Sequence, residues 1–116
     1  MAVNTLQQSS YLVVDDDEFS RDFIVNVLAH LGCHNVQCAP DSETALRLTR
    51  QHKPDFVLLD IYMPEVDGWT FLGQLRKTMP HAVVIMISGS GRPEVFKKSM
   101  SESVEGYCLL TVSRVV

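Results

Sequence analysis

The sequence predicts an α/β fold, in which a parallel sheet is covered by helices on both faces. Three short apolar runs rich in β-branched residues, YLVV (11–14), FVLLD (56–60) and AVVIMIS (82–88), have the composition of strands buried on both faces. Segments with apolar residues at helical spacing separate these runs along the chain. Strands that alternate with helices indicate parallel neighbours joined by right-handed crossovers.

The first helix is predicted directly after the YLVV strand, because apolar residues recur there at intervals of three and four positions. At its start, Asp17 can accept hydrogen bonds from free backbone amides, and Glu18 complements the helix dipole. Gly32 follows the pattern and is expected to end the helix. The apolar positions are Phe19, Phe23, Ile24, Val27, Leu28 and Leu31.

Turn and capping residues define the elements in the middle of the chain. A strand is predicted at NVQC (35–38), followed by a second helix that Pro40 and Asp41 introduce and that ends before Pro54. A third helix is predicted to end near Pro80. The apolar residues that mark these two helices are Ala45, Leu46, Leu48, Trp69, Phe71, Leu72 and Leu75.

Two further elements are predicted in the last quarter of the sequence. Pro93 suits the first turn of a fourth helix, which runs through Val95 and Phe96 to about Met100. The final strand is predicted at YCLLTV (107–112). The alternation of strands and helices therefore extends across the whole chain.

The composition favours one domain and argues against several classes of function. We expect residues 1–116 to form a single domain, with an N-terminal extension at 1–9 and a tail at 113–116. A net charge of -4 gives no electrostatic basis for binding nucleic acid or an anionic membrane. No apolar run approaches the ~20 residues of a membrane-spanning helix, and the first ten residues do not resemble a signal peptide, so a cytoplasmic location is expected.

The cysteines and histidines do not predict a metal site. The three cysteines form no C-x-x-C pair, and the four histidines are scattered without the spacing of zinc ligands. The cysteines are therefore expected to be reduced structural thiols.

Acidic side chains follow two of the predicted strands at the point where each strand ends. Asp15 and Asp16 follow the first strand, Asp60 ends the third, and Ser88 ends the fourth. Because the carboxyl ends of parallel strands share one edge of a sheet, these oxygen-bearing side chains are expected to converge there. Carboxylates this close repel one another, and hard oxygen ligands suit Mg²⁺. The sequence therefore predicts a magnesium site.

Helix capping is the alternative explanation for the acidic run DDDE (15–18). It accounts for Asp17 and Glu18, which stand at the start of the first helix. It does not account for Asp15 and Asp16, which belong to the strand end, or for Asp60, which lies at the end of another strand. We therefore assign the metal to those three residues.

Four stretches together carry a family resemblance: VVDDDEFSR, FVLLDIYMPEVDGW, VIMISG and EGYCLL. From about Leu12 to Thr111, the chain resembles the receiver domain of two-component response regulators, of the CheY-like superfamily. The resemblance implies a flavodoxin-like, doubly wound, five-stranded parallel sheet of order 2-1-3-4-5. It also implies that Asp60 accepts a phosphoryl group from a histidine kinase or histidine phosphotransfer protein, and that the signal passes to a downstream effector domain or protein.

The same resemblance implies the roles of the site residues. In the family, the positions that match Asp16 and Asp60 bind Mg²⁺ directly, and the position that matches Asp15 acts through water. The backbone carbonyl of Tyr62 completes the protein ligands. Enzymatic activity in such a domain is at most self-directed phosphoryl transfer and hydrolysis.

Two further family positions respond to the phosphoryl group. Ser88 matches the hydroxyl that turns toward this group, and Tyr107 matches the aromatic residue that follows the hydroxyl. Tyr62 is near the approach of a hydrolytic water, where a bulky ring is expected to slow loss of the phosphoryl group.

The chain departs from the family pattern at the end of the fifth strand, where the family has a phosphoryl-binding Lys followed by Pro. Depending on the register, Leu110 or Thr111 occupies the Lys position, and neither carries a positive charge. Of the nearby basic residues, only Arg114 stands at the far end of that strand. An alternative is therefore a pseudo-receiver, which acts as a phosphorylation-independent protein-interaction domain.

A second departure is that the fifth helix of the family is apparently missing, because only SRVV (113–116) follows the last strand. An uncovered apolar face favours a homodimer, strand exchange or docking of a partner. The alternative is that the sequence is a fragment of a longer regulator.

Two other functions agree less well with the residues. A Mg²⁺-dependent phosphatase on a related sheet needs an acidic residue two positions after the aspartate nucleophile, where this chain has Tyr62. A flavin or nucleotide site needs glycines and amide donors in the first loop, where this chain has carboxylates.

Overall fold

The computed structural model describes residues 6–60, 68–88 and 106–109, and within them five parallel strands form one sheet of order β2-β1-β3-β4-β5. This arrangement confirms the predicted flavodoxin-like α/β fold. A single 3₁₀ turn at Leu6–Gln8 precedes the first strand. The elements are β1 (Tyr11–Val14), α1 (Glu18–His30), β2 (Val36–Ala39), α2 (Ser42–His52), β3 (Phe56–Asp60), α3 (Gly68–Thr78), β4 (Val83–Ser88) and β5 (Gly106–Leu109).

The sheet carries a hydrophobic core on each face, because successive residues of a strand point to opposite sides. In β1, Leu12 and Val14 pack with residues of α2 and α3, whereas Tyr11 and Val13 pack with residues of α1. All four side chains are buried, as expected for a central strand covered on both faces. The first core is the larger, and its fully buried residues include Phe71.

The helices begin and end where the sequence indicates. Asp17 caps α1 by accepting a hydrogen bond from the Ser20 amide at 3.2 Å, and Asp41 caps α2 by accepting one from the Thr44 amide at 2.7 Å. After α1, Gly32 adopts a φ of 83°, a left-handed conformation that residues with a Cβ rarely take. Both predicted N-caps and the predicted glycine stop are confirmed.

The predicted strand boundaries are shifted slightly at three places, one of which is β4, which begins at Val83 rather than at 82. The second strand covers Val36–Ala39 rather than 35–38, because Ala39 pairs with Val14 of β1 and is fully buried. The fifth strand begins at Gly106, one residue before its predicted start. The predicted fourth helix (93–100) and the residues from 110 onward, where a fifth helix was expected to be missing, lie outside the described residues.

Candidate functional site

The predicted acidic cluster forms at the carboxyl ends of β1 and β3. These strands are direct neighbours, and their register pairs Val14 with Leu59, so Asp15 and Asp60 follow in adjacent positions. The cluster contains Asp15, Asp16 and Asp60, and one carboxylate oxygen from each lies within 4.8 Å of the others. Asp15 is only 5% exposed, Asp60 is half-buried and Asp16 is exposed. The cluster is therefore a partly open, all-oxygen site.

Hydrogen bonds hold Asp15, the first residue of the cluster, in place. The Asp15 amide donates to the Ala39 carbonyl at 3.1 Å, which continues the β1–β2 ladder by one residue. The Asp15 carboxylate accepts a hydrogen bond from the Asp17 amide at 2.9 Å. Asp17 in turn caps α1. The turn that carries the carboxylates is thus fixed both to the sheet and to the helix.

The electrostatics of the cluster disfavour a buried negative charge. Burial raises the pKa of Asp15, and the charges of Asp16 and Asp17 raise it further. The hydrogen bonds from the Asp17 amide and with Asp60 act in the opposite direction and lower this pKa. A divalent cation with a preference for oxygen ligands would relieve both the burial penalty and the repulsion. The donor set therefore has the chemistry of a Mg²⁺ site.

Arg21 is a site residue that the sequence reasoning missed. Its guanidinium Nη1 donates to the Asp15 backbone carbonyl at 2.8 Å, so the positive charge nearest in sequence to the acidic run is directed at the turn. The pKa of Asp17 is lowered mainly by its hydrogen bond with Ser20, and Arg21 contributes a smaller Coulombic lowering. The sequence did contain a signal for this contact, because Arg21 stands one helical turn after the N-cap Asp17 and so on the same side of the helix.

The remaining predicted site residues are described only in part. Ser88 is the last residue of β4, one position beyond the Asp60–Ile87 pair, so its backbone lies at the same sheet edge as the acidic cluster. Tyr107 lies in β5, where it pairs with Met86. Tyr62 lies outside the described residues, as do Leu110, Thr111 and Arg114.

Of the three cysteines, Cys33 and Cys38 have described side chains, and both are free thiols, as predicted. Cys33 is buried, and its Sγ lies 3.4 Å from both the Leu6 carbonyl oxygen and the Tyr11 hydroxyl oxygen, either of which can accept its one S–H. Cys38 is exposed on the edge strand β2.

Within the described ranges, no helix has the length and apolar character that crossing a membrane requires.

Comparison with known proteins identifies the family to which this site belongs. The sequence model of the response regulator receiver domain matches residues 11–111. The chain belongs to the response regulator receiver domain family. Receiver domains of this family belong to two-component signalling, and the match confirms the resemblance drawn from the sequence motifs.

Two relatives and one solved structure illustrate the match. The chemotaxis protein CheY of Bacillus subtilis is 37% identical over 81 residues, which are 70% of this chain and 68% of that protein. Protein-glutamate methylesterase/protein-glutamine glutaminase 2 of Pseudomonas aeruginosa is 41% identical over 80 residues, which are 68% of this chain but only 23% of that protein. The chain therefore spans less than a quarter of the length of that methylesterase.

The solved structure is that of a CheX–CheY complex with BeF₃ and Mg²⁺ from Borrelia burgdorferi. It is similar with a TM-score of 0.82 and 29% identity, over 91% of this chain and 81% of that one. This receiver chain thus has the CheY-like fold.

Proposed function

We propose that this receiver domain is a phosphoacceptor module of a two-component phosphorelay, in which Asp60 receives a phosphoryl group from a histidine kinase or histidine phosphotransfer protein. The observation that carries the proposal is the convergence of three carboxylates within 4.8 Å at the carboxyl edge of the sheet. The CheX–CheY complex of Borrelia burgdorferi contains BeF₃ and Mg²⁺, which supports the same assignment.

The metal would be held by Asp15, Asp16 and Asp60, with the Tyr62 backbone carbonyl as a further ligand. Mg²⁺ supplies charge neutralisation, which allows an anionic carboxylate and an anionic phosphoryl group to approach each other. The buried position of Asp15 supports this role, because a carboxylate that is costly to ionise alone gains most from a nearby cation.

The reaction assigned to Asp60 is a direct transfer. One carboxylate oxygen of Asp60 attacks the phosphorus of a phosphohistidine, an O–P bond forms, and the P–N bond to the imidazole breaks. Asp60 is suited to this role because it is half-buried at the end of a central strand, which fixes its direction of attack. Ser88 would then contact the phosphoryl oxygens, and Tyr107 would follow the movement of Ser88.

The wider role follows from this chemistry. Residues 1–116 would act as a single cytoplasmic receiver domain whose phosphorylation state is read by a downstream effector domain or protein. The net charge of -4 supports contact with proteins rather than with nucleic acid or an anionic membrane. Its only catalysis would be self-directed phosphoryl transfer and hydrolysis.

The test is to incubate the chain with acetyl phosphate and Mg²⁺, reduce the acyl phosphate with borohydride, and locate the reduced residue by mass spectrometry. We expect a Mg²⁺-dependent adduct at Asp60 that is absent in Asp60→Asn. Asp22→Asn is the matched control, because Asp22 is an exposed carboxylate on α1 outside the cluster. Mg²⁺ binding measured by calorimetry without any adduct at Asp60 would instead support the pseudo-receiver, in which Leu110 or Thr111 replaces the family Lys.

A further inference from the structure

The turn between β1 and α1 carries Asp15 and Asp16 of the acidic cluster, and Arg21 is hydrogen-bonded to its backbone. The Arg21 Nη1 donates to the Asp15 carbonyl at 2.8 Å. Arg21 is half-buried, so water competes for its guanidinium only in part, whereas Asp16 is exposed. A hydrogen bond from a charged donor is stronger than one between neutral groups. The contact therefore favours one conformation of the turn.

The bonded carbonyl belongs to the peptide group that joins Asp15 to Asp16. Because a peptide group is planar, fixing the direction of its carbonyl oxygen also fixes the plane from which the Cα of Asp16 leaves. Asp15 is anchored to the sheet by its amide, which donates to the Ala39 carbonyl, and Asp17 is anchored to α1 as its N-cap. The Arg21 bond acts on the peptide plane between these two anchored residues, and thereby on the direction of the Asp16 side chain.

The guanidinium of Arg21 has two effects of opposite sign on a cation at the cluster. Its bond to a backbone oxygen leaves the carboxylate oxygens of Asp15, Asp16 and Asp60 available as ligands, while it fixes the turn that carries two of them. Its positive charge by itself opposes a bound cation, because like charges repel. The hydrogen bond therefore favours metal binding and the charge disfavours it.

We propose that Arg21 is a positioning residue of the metal site, which orients the Asp16 carboxylate by holding the peptide group between Asp15 and Asp16. The inference rests on the proposed function, because it concerns the Mg²⁺ that supports phosphoryl transfer to Asp60. Residues that orient metal ligands from outside the coordination shell typically contribute roughly 10- to 100-fold in metal affinity. Since Asp16 is exposed, solvent screens the repulsion between Arg21 and the metal, so the positioning effect is the larger of the two.

The first measurement is calorimetric titration of the purified full chain with Mg²⁺. Arg21→Met keeps an unbranched apolar stem and a similar helix propensity, but it removes both the donor and the charge. We expect its Kd for Mg²⁺ to rise by roughly tenfold or more. An effect of charge alone has the opposite sign and predicts tighter binding by this variant. Arg21→Lys keeps a charged donor, so it should bind Mg²⁺ more tightly than Arg21→Met although its charge is as repulsive as that of the wild type.

Arg50→Met is the matched control, because Arg50 is exposed and the substitution removes the same charge. α2 begins at Ser42, just after the carboxyl end of β2, and rises about 12 Å between Ser42 and Arg50, which is more than one Debye length at physiological salt. The Kd of this variant should therefore stay within about twofold of the wild type. Circular dichroism establishes that each variant is folded.

The second measurement detects the positioning directly and needs no metal. Relaxation of ¹⁵N in the metal-free chain gives the order parameter of the Asp16 amide, which shares its peptide group with the carbonyl that Arg21 bonds. We expect about 0.85 in the wild type and in Arg50→Met, as in rigid backbone, and a fall toward about 0.6 in Arg21→Met. A variant that is only less stable keeps the rigid value while it is folded, so this readout separates positioning from a general structural role.

The outcomes distinguish a failure of this inference from a failure of the proposed function. A wild type without affinity for Mg²⁺ at millimolar concentration overturns the proposed function, and with it the role of Arg21 in metal binding. A wild type that binds Mg²⁺ no more tightly than Arg21→Met overturns the role of Arg21 alone. An Asp16 order parameter that is equal in these two chains does the same.

Discussion

Replacement of Asp15 by Asn tests whether the acidic cluster is held together at a cost in stability. Asp15 is buried, and its carboxylate lies within 4.8 Å of those of Asp16 and Asp60. Asn has nearly the same shape, and its side-chain oxygen can still accept the hydrogen bond from the Asp17 amide. The substitution therefore removes a negative charge while it preserves the packing of the turn.

The expected magnitude follows from Coulomb's law. Two unit charges 4.8 Å apart repel by about 1 kcal/mol at the dielectric constant of water and by about 3.5 kcal/mol at an effective value of 20. Because Asp16 is exposed and Asp60 only half-buried, solvent screening keeps both pairs near the lower figure. We expect Asp15→Asn to raise the free energy of unfolding of the metal-free chain by about 1–2 kcal/mol at neutral pH.

The effect of Asp15→Asn on stability should depend on pH. The pKa of Asp15 is raised in the folded chain, so the native state is favoured while Asp15 is protonated and loses that advantage as pH rises through the folded-state pKa. The gain from Asp15→Asn should therefore be largest at neutral pH and shrink as pH falls toward the ordinary range for Asp, near 4.

Urea denaturation followed by circular dichroism measures the effect. The midpoint of Asp15→Asn should rise by about 0.5–1 M with an unchanged m-value, while Asp22→Asn stays within about 0.5 kcal/mol of the wild type. Added Mg²⁺ should stabilise the wild type more than the variant, so that the difference narrows or reverses. An Asp15→Asn chain that is less stable than the wild type without metal would refute the reasoning.

Three further predictions concern the scaffold. Tyr11→Phe removes the hydroxyl that donates to the Leu6 carbonyl at 2.7 Å and should lower the free energy of unfolding by about 1 kcal/mol. Burial, the largest cause, raises the pKa of Tyr11 to about 12, so an absorbance titration of the variant should lose a tyrosine that ionises near that value. The stabilisation from the neutral hydroxyl should disappear as pH rises through the same value. Asp41→Ala removes the N-cap of α2 and should lower the free energy of unfolding by about 1 kcal/mol in urea titrations. Hydrogen bonds from Thr44 lower the pKa of Asp41, so the difference between variant and wild type should vanish as pH falls through the folded-state pKa. Phe71→Ala leaves a cavity at a fully buried position and should lower the free energy of unfolding by about 3–5 kcal/mol in urea titrations. A decrease of less than about 1 kcal/mol would contradict the place of Phe71 in the core.

The elements of the sheet could be predicted from local patterns because each buried strand is a short apolar run with its own stop signal. β1 ends at Val14, directly before the carboxylate of Asp15, and β3 ends at Asp60, the first carboxylate after its apolar run. The order of the strands came from the family resemblance, since periodicity alone does not say which strands are neighbours. The register that pairs Val14 with Leu59 depends on packing across the whole sheet, so the 4.8 Å approach of the carboxylates required the three-dimensional structure.

The apolar pattern of α1 shows why periodicity predicts a helix but does not say which of its apolar side chains are buried. The six apolar positions from Phe19 to Leu31 span roughly 180° of the helix at about 100° per residue, whereas a helix packed on a sheet needs an apolar arc of roughly 100°. Only Ile24 and Leu28 of the six are buried, and the other four remain exposed. The apolar arc can therefore be seen in the sequence, but which of its side chains are buried depends on how the helix lies on the sheet.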